Sequence, residues 1–184
     1  MAEIHQRALL LVDIQPDFVP GGALPVGGGK GILPGVRRLM EAGGYGLCVA
    51  TQDWHARGHI SFASSHPGRE PFDQIDLYGH PQTLWPDHCV KGTRGAGFHP
   101  ELRTDGDLIL RKGFRSAIDS YSAFFENDHT TPTGLEGYLR TRGITKLTMV
   151  GLATDFCVNF SAVDAARLGF VPSISIFGKL GSST

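Results

Sequence analysis

The chain has 184 residues, 17 basic and 18 acidic, a formal net charge of −1 and a hydrophobic share of 41%. At roughly 100–200 residues per domain this makes a single domain, residues 1–184, with enough apolar content to bury a core and too little charge imbalance to stay disordered. The balance removes any electrostatic drive toward nucleic acid or an anionic membrane and favours small neutral ligands, while 25 glycines without a three-residue period imply tight turns rather than collagen.

Arg7-Ala-Leu-Leu-Leu-Val-Asp13 is a near-continuous apolar run closed by a carboxylate, the pattern of a strand covered on both faces of a parallel sheet. Its apolar part, residues 8–12, is too short for a signal-peptide core. A helix is expected over 32–42, then a strand in Gly46-Leu-Cys-Val-Ala-Thr51. Residues 53–101, rich in Pro, Gly, His and aromatics, lack clear periodicity, and an irregular stretch of that length usually carries function. Asp107-Leu-Ile-Leu-Arg111 reads as a third strand, 134–142 as a helix, Lys146-Leu-Thr-Met-Val-Gly151 as a fourth strand and 155–168 as a helix. The uncharged stretch 168–178 falls well short of the ~20 residues of a membrane span. Alternating strand and helix predicts an α/β fold, three layers with a mostly parallel, Rossmann-like sheet between helices. Ligands in such sheets bind beyond the carboxyl ends of the strands.

Several side chains fall at those ends. Asp13 is either a turn cap or a carboxylate available as a general base. In Asp53-Trp-His55 the two-residue alternation lets a carboxylate and an imidazole face one centre, a first-row metal ligand pair. His59 and His88 are further candidates, and five of the eight histidines fall between positions 55 and 88. Lys112 is either a solvated charge or a group reaching inward toward a thiol, whose pKa it would lower.

Cys48, Cys89 and Cys157 are odd in number and far apart, which speaks against a disulfide framework and for a reducing compartment, so a soluble cytoplasmic protein is expected. Cys157 is the candidate nucleophile: Val150-Gly-Leu-Ala-Thr-Asp-Phe-Cys157 runs from strand end to helix, with Thr154 or Asp155 as the expected cap. A first-turn thiolate would be stabilised by the helix dipole. Cys48 reads as a core residue, and Cys89 is open.

Together, Leu11-Val-Asp-Ile-Gln-Pro-Asp-Phe18, Thr51-Gln-Asp-Trp-His55, Leu84-Trp-Pro-Asp-His-Cys89, Arg111-Lys-Gly113 with Asp119-Ser-Tyr-Ser-Ala-Phe124, and the Cys157 segment resemble the nicotinamidases, or pyrazinamidases, of the isochorismatase-like cysteine hydrolase superfamily. The resemblance implies hydrolysis of nicotinamide to nicotinate and ammonia in NAD salvage, with Asp13, Lys112 and Cys157 as a catalytic triad. It implies a cis peptide at Leu152-Ala153, and the N–H groups of Ala153 and Cys157 as oxyanion donors. Asp53, His55 and His88 would hold one divalent metal, Zn²⁺ first with Fe²⁺ or Mn²⁺ as alternatives, and His59 is the further candidate ligand. Phe18 and Trp85 would sandwich the pyridine ring and Tyr121 would close the pocket. No nucleic acid or membrane partner is expected, and homo-oligomerisation stays open.

The resemblance covers about nine-tenths of the chain. Past Leu168-Gly-Phe170 it implies a buried strand, an acidic loop, a helix and an edge strand. Residues 171–177 are expected as a strand, 181–184 as disordered, and the last helix and strand as lacking, some 20–25 residues by ordinary element sizes. Two other readings remain: a metal-independent isochorismatase-like or carbamoyl-amide hydrolase, and an inactive truncated protein that binds pyridine carboxamides.

Overall fold

The computed structural model describes residues 4–102 and 106–177. Seven strands and three α-helices occur among them: β1 (Arg7–Val12), α1 (Leu33–Ala42), β2 (Leu47–Asp53), β3 (Gln74–Leu77), β4 (His80–Thr83), β5 (Leu108–Lys112), α2 (Leu135–Thr141), β6 (Lys146–Gly151), α3 (Asn159–Arg167) and β7 (Val171–Ile174). Five strands form a parallel sheet in the order β5-β2-β1-β6-β7.

The apolar run of β1 explains its central place. Ala8, Leu10 and Val12 enter one core with Leu135 and Leu139 of α2 and Ala162 and Ala165 of α3. Leu9 and Leu11 enter the other with Leu33 and Val36 of α1. Helices therefore cover both faces, so a strand there needs apolar residues at every position rather than alternate ones. From β1 the chain builds outward through β2 to β5, then returns to lay β6 and β7 on the other side. The reversal opens a crevice at the carboxyl ends of β1 and β6, the place where such sheets take ligands.

The expected α/β architecture is the observed one, with two local differences. Within 53–101 an antiparallel hairpin, β3–β4, turns through Tyr78 and Gly79, both with positive φ (61° and 77°). Two central residues at positive φ make the tight turn that matches hairpin twist. Its four-residue strands include Pro81 and its turn lacks the usual Asn-Gly, so no periodic signal marks it. The helix expected over 155–168 begins instead as a π-helical turn, Thr154–Val158, before α3. Ala153 occupies the N-cap position, and neither Thr154 nor Asp155 caps by its side chain.

The strand expected over 171–177 is realised only in its first four residues, as β7, with 175–177 irregular, and the expectation for 181–184 lies outside the described residues. No helix among the described residues is long and apolar enough to cross a membrane.

Candidate active site

The strand ends bring Asp13, Asp53, Lys112 and Cys157 together. Asp13 follows β1, Asp53 ends β2, Lys112 ends β5 and Cys157 lies in the π-helical turn after β6. Lys112 is fully buried, and its Nζ lies 2.7 Å from Asp13 Oδ2, contacts Asp53 Oδ1, and donates to Ser120 O at 3.0 Å and to Cys157 Sγ at 3.4 Å. The solvated-charge reading of Lys112 is thereby excluded. Thr51 fixes Asp13 from the next strand: its Oγ1 donates to Asp13 Oδ1 at 2.6 Å and accepts the Asp13 N–H at 3.1 Å.

Burial and charge set the protonation states. Desolvation pushes Asp13 up to about 6 although Lys112 pulls the other way. Burial acts likewise on Asp53, but Lys112, His88 and His55 outweigh it and hold this carboxyl at about 2. Desolvation opposes the charge on Lys112, and the carboxylates of Asp13 and Asp53 overcome it, so the ammonium persists well above the usual lysine range. Burial also pushes the Cys157 thiol up, and Asp13 and Asp53 add to that against the single Lys112 charge. These directions favour a thiol beside the Asp13 carboxylate at rest over the dipole-stabilised thiolate expected of a helix's first turn.

Next to this cluster, Asp53, His55 and His88 present ligand atoms within 4.8 Å of one another, all three side chains buried. His88 Nδ1 lies 2.8 Å from Pro86 O and carries the hydrogen, so Nε2, 3.8 Å from Asp53 Oδ2, is the ring atom that a metal would use. His55 Nε2 lies 3.1 Å from Asp119 Oδ1, and Nδ1 lies 3.3 Å from His88 O. Burial lowers the His55 pKa, but Asp119 more than offsets it and the net shift is upward. Both ring nitrogens face acceptors, so the metal-free ring is favoured as the imidazolium, and one nitrogen must release its proton before the mixed carboxylate and imidazole set can hold a divalent first-row ion.

His59 falls into a different grouping, with His55 and Asp119. Its Nε2 faces the carbonyls of Arg115 (2.8 Å) and Ile118 (3.2 Å), and its Nδ1 accepts from Ser61. Both ring nitrogens are thus engaged by protein, and the ring packs 4.6 Å from that of His55.

A pocket of about 200 Å³ opens onto Cys157, Ala153 and Asp53, with Phe18, Trp85 and Tyr121 in its walls. The peptide Leu152-Ala153 is cis. Phe18 stands 5.5 Å from the His88 ring, while Trp85 and Tyr121 lie on the side of Phe156, whose ring is 5.0 Å from Trp85. Phe156, Asp119, Gln82 and Asn127 had no role assigned from the sequence, although Asp119 opens one of the motifs that carry the resemblance. Phe156 adjoins Cys157 and could have been noticed, but Asp119 and the amides are joined to the site only by folding. Cys48 is half-buried in β2, and Cys89 is buried with its thiol pushed up by desolvation; neither lines the pocket.

Known proteins resemble this chain in both sequence and fold. Residues 7–174 match the isochorismatase domain. The chain is 51% identical over 170 residues to a nicotinamidase of Acinetobacter baylyi, covering 92% of this chain and 78% of that one. A solved nicotinamidase–pyrazinamidase of Acinetobacter baumanii superposes with a TM-score of 0.87 at 48% identity, covering 94% of this chain and 86% of the other. A pyrazinamidase of Pyrococcus horikoshii solved with zinc superposes with a TM-score of 0.68 at 36% identity, covering 90% and 80%.

Proposed function

The chain belongs to the isochorismatase domain family, and we propose that within it the protein is a nicotinamidase, hydrolysing nicotinamide to nicotinate and ammonia. The observation that carries this reading is the contact of Lys112 with both Asp13 and Cys157 at the floor of an aromatic pocket.

The mechanism follows from these side chains. Asp13, as the carboxylate, takes the Cys157 proton while Sγ adds to the carboxamide carbon, and Lys112 stays charged to offset the negative charge that moves between them. The N–H groups of Ala153 and Cys157 receive the oxyanion of the tetrahedral adduct. Collapse breaks the C–N bond, and the proton held by Asp13 goes to the leaving nitrogen as ammonia departs. The acyl group remains as a thioester on Cys157. Asp13, again a carboxylate, takes a proton from water as its oxygen attacks the thioester carbonyl. Breaking the C–S bond releases nicotinate and restores the thiol.

Asp53, His55 and His88 are the residues that would hold a divalent metal, Zn²⁺ first with Fe²⁺ or Mn²⁺ as alternatives. When bound, such an ion supplies a Lewis-acid contact for the pyridine nitrogen and so orients the ring. Phe18 and Trp85 supply apolar ring faces to the same ligand. This activity would serve NAD salvage in the cytoplasm.

The decisive experiment is ammonia release from nicotinamide by the wild-type protein and Cys157→Ala. Turnover that falls by roughly 10⁴-fold or more in the variant supports the assignment, and an unchanged rate sinks it. The convergence of Asp53, His55 and His88 disfavours a metal-independent hydrolase, and the contacts joining Asp13, Lys112 and Cys157 disfavour an inactive binding protein.

A further inference from the structure

Between the β3–β4 hairpin and the pocket lies a buried amide pair with no part in the chemistry above. Gln82, on β4, is 1% exposed and Asn127 is 9% exposed. Gln82 Nε2 donates to Thr83 O at 2.8 Å and to the Tyr121 hydroxyl at 2.7 Å, while its Oε1 accepts from Asn127 Nδ2 at 2.9 Å. Asn127 Oδ1 accepts the Tyr121 backbone N–H at 2.9 Å. Flipping the Gln82 amide would set oxygen against the Thr83 carbonyl and one NH₂ group against another, so the network allows one orientation. Trp85 Nε1 also donates to the Tyr121 hydroxyl, at 3.1 Å. That oxygen thus accepts from two N–H groups at once, and two walls of the pocket are tied at one point.

We propose that Gln82 is a positioning residue, which through the Tyr121 hydroxyl holds Tyr121 and Trp85 in the register that shapes the ring-binding side of the pocket. This makes the β3–β4 hairpin part of the substrate-binding apparatus. The inference rests on the nicotinamidase reading for its kinetic consequence but not for its structural one. Gln82 touches neither the catalytic cluster nor the metal ligands by any of these bonds, so its loss should weaken ligand placement rather than bond making. Loss of binding shared by ground and transition states raises KM and leaves kcat in place.

The test uses Gln82→Met, which keeps length and loses both amide functions, and Gln82→Glu, which keeps the acceptor for Asn127 but makes the Tyr121 hydroxyl a donor, so that its oxygen loses one of its two incoming N–H bonds. The Trp85 indole N–H resonance is followed in a Trp54→Phe background, alongside nicotinamide kinetics and metal content. We expect the resonance to move in both variants, KM to rise about tenfold with kcat within about threefold, and metal content to stay constant. Combined with Tyr121→Phe, either variant should add little, because both break the same link.

An unmoved resonance overturns the inference, whether or not nicotinamide is a substrate. A kcat loss equal to the loss in kcat/KM, or full additivity with Tyr121→Phe, overturns it too. A wild-type protein silent on nicotinamide fails the functional reading alone, and the resonance then still decides the role of Gln82. Should Gln82→Met not fold, Gln82→Glu carries the same readouts.

Discussion

Lys112 Nζ and Asp13 Oδ2 lie 2.7 Å apart, with both side chains fully withdrawn from solvent. A buried ion pair of this kind adds little net stability, but removing one member strands the other. Here two carboxylates, Asp13 and Asp53, depend on one ammonium. Lys112→Met should therefore destabilise the protein by about 3–5 kcal/mol as well as abolish turnover. Cys157→Ala removes no charge and should abolish turnover with a much smaller stability loss. Urea denaturation of the two variants checks the contrast, and equal losses would remove Lys112 from its central role.

The Asp13 carboxyl is pushed up to about 6 by burial, and it must be ionised to accept the Cys157 proton. Below that pH the protonated form dominates and the thiol has no base, so kcat/KM should fall about tenfold per pH unit on the acid side. Above it the rate should level off, because the Cys157 thiol itself is held above its usual range and ionises later. A pH–rate profile with nicotinamide measures the limb directly. A plateau extending unbroken down to pH 4, near the ordinary aspartate value, would take the base role from Asp13.

How much of this could be read from the sequence depended on how local the cause was. The sheet strands were legible because covering both faces demands unbroken apolar runs, and Arg7–Val12 and Lys146–Gly151 show them plainly. The hairpin was not, since Pro81 and a Tyr78-Gly79 turn hide a short strand pair. Asp13, Lys112 and Cys157 were legible through strand-end position and family resemblance. The charge state of Cys157 was not: it depends on two carboxylates against one ammonium, a count that exists only once Asp13 and Asp53 are folded beside it. Gln82 and Asn127 are 45 residues apart, and nothing in either neighbourhood announces the bond between them.

Asp119 Oδ1 accepts from His55 Nε2 at 3.1 Å and from the Ser120 N–H at 2.8 Å. Carboxylates in this relation to a metal-binding histidine orient the ring, and their loss typically costs about 10–100-fold in metal affinity. Asp119→Asn should show a loss of that size in competition with a metal indicator, and His88→Ala a larger one. Removing metal with a chelator should depress ammonia release from nicotinamide, and restoring Zn²⁺, Fe²⁺ or Mn²⁺ in turn should identify the ion that recovers it. An apoprotein with undiminished turnover would favour the metal-independent hydrolase.

Gly113, directly after Lys112, supports the same histidine through the space it leaves. Its φ is +61°, and a Cβ built there would stand 2.7 Å from His55 Nε2 and 3.2 Å from Asp119 Oδ1. Gly143 has nearly the same φ, +67°, with nothing within 4 Å of its Cβ direction. Gly143→Ala should cost only the left-handed strain, about 1–2 kcal/mol, with metal binding intact. Gly113→Ala carries that strain and also displaces a buried imidazole with its acceptor, so it should be clearly less stable than Gly143→Ala and lose metal affinity. Denaturation curves and metal titrations on the pair separate backbone strain from the contact with His55. Equal behaviour of the two variants would show that the space beside His55 is not what Gly113 provides.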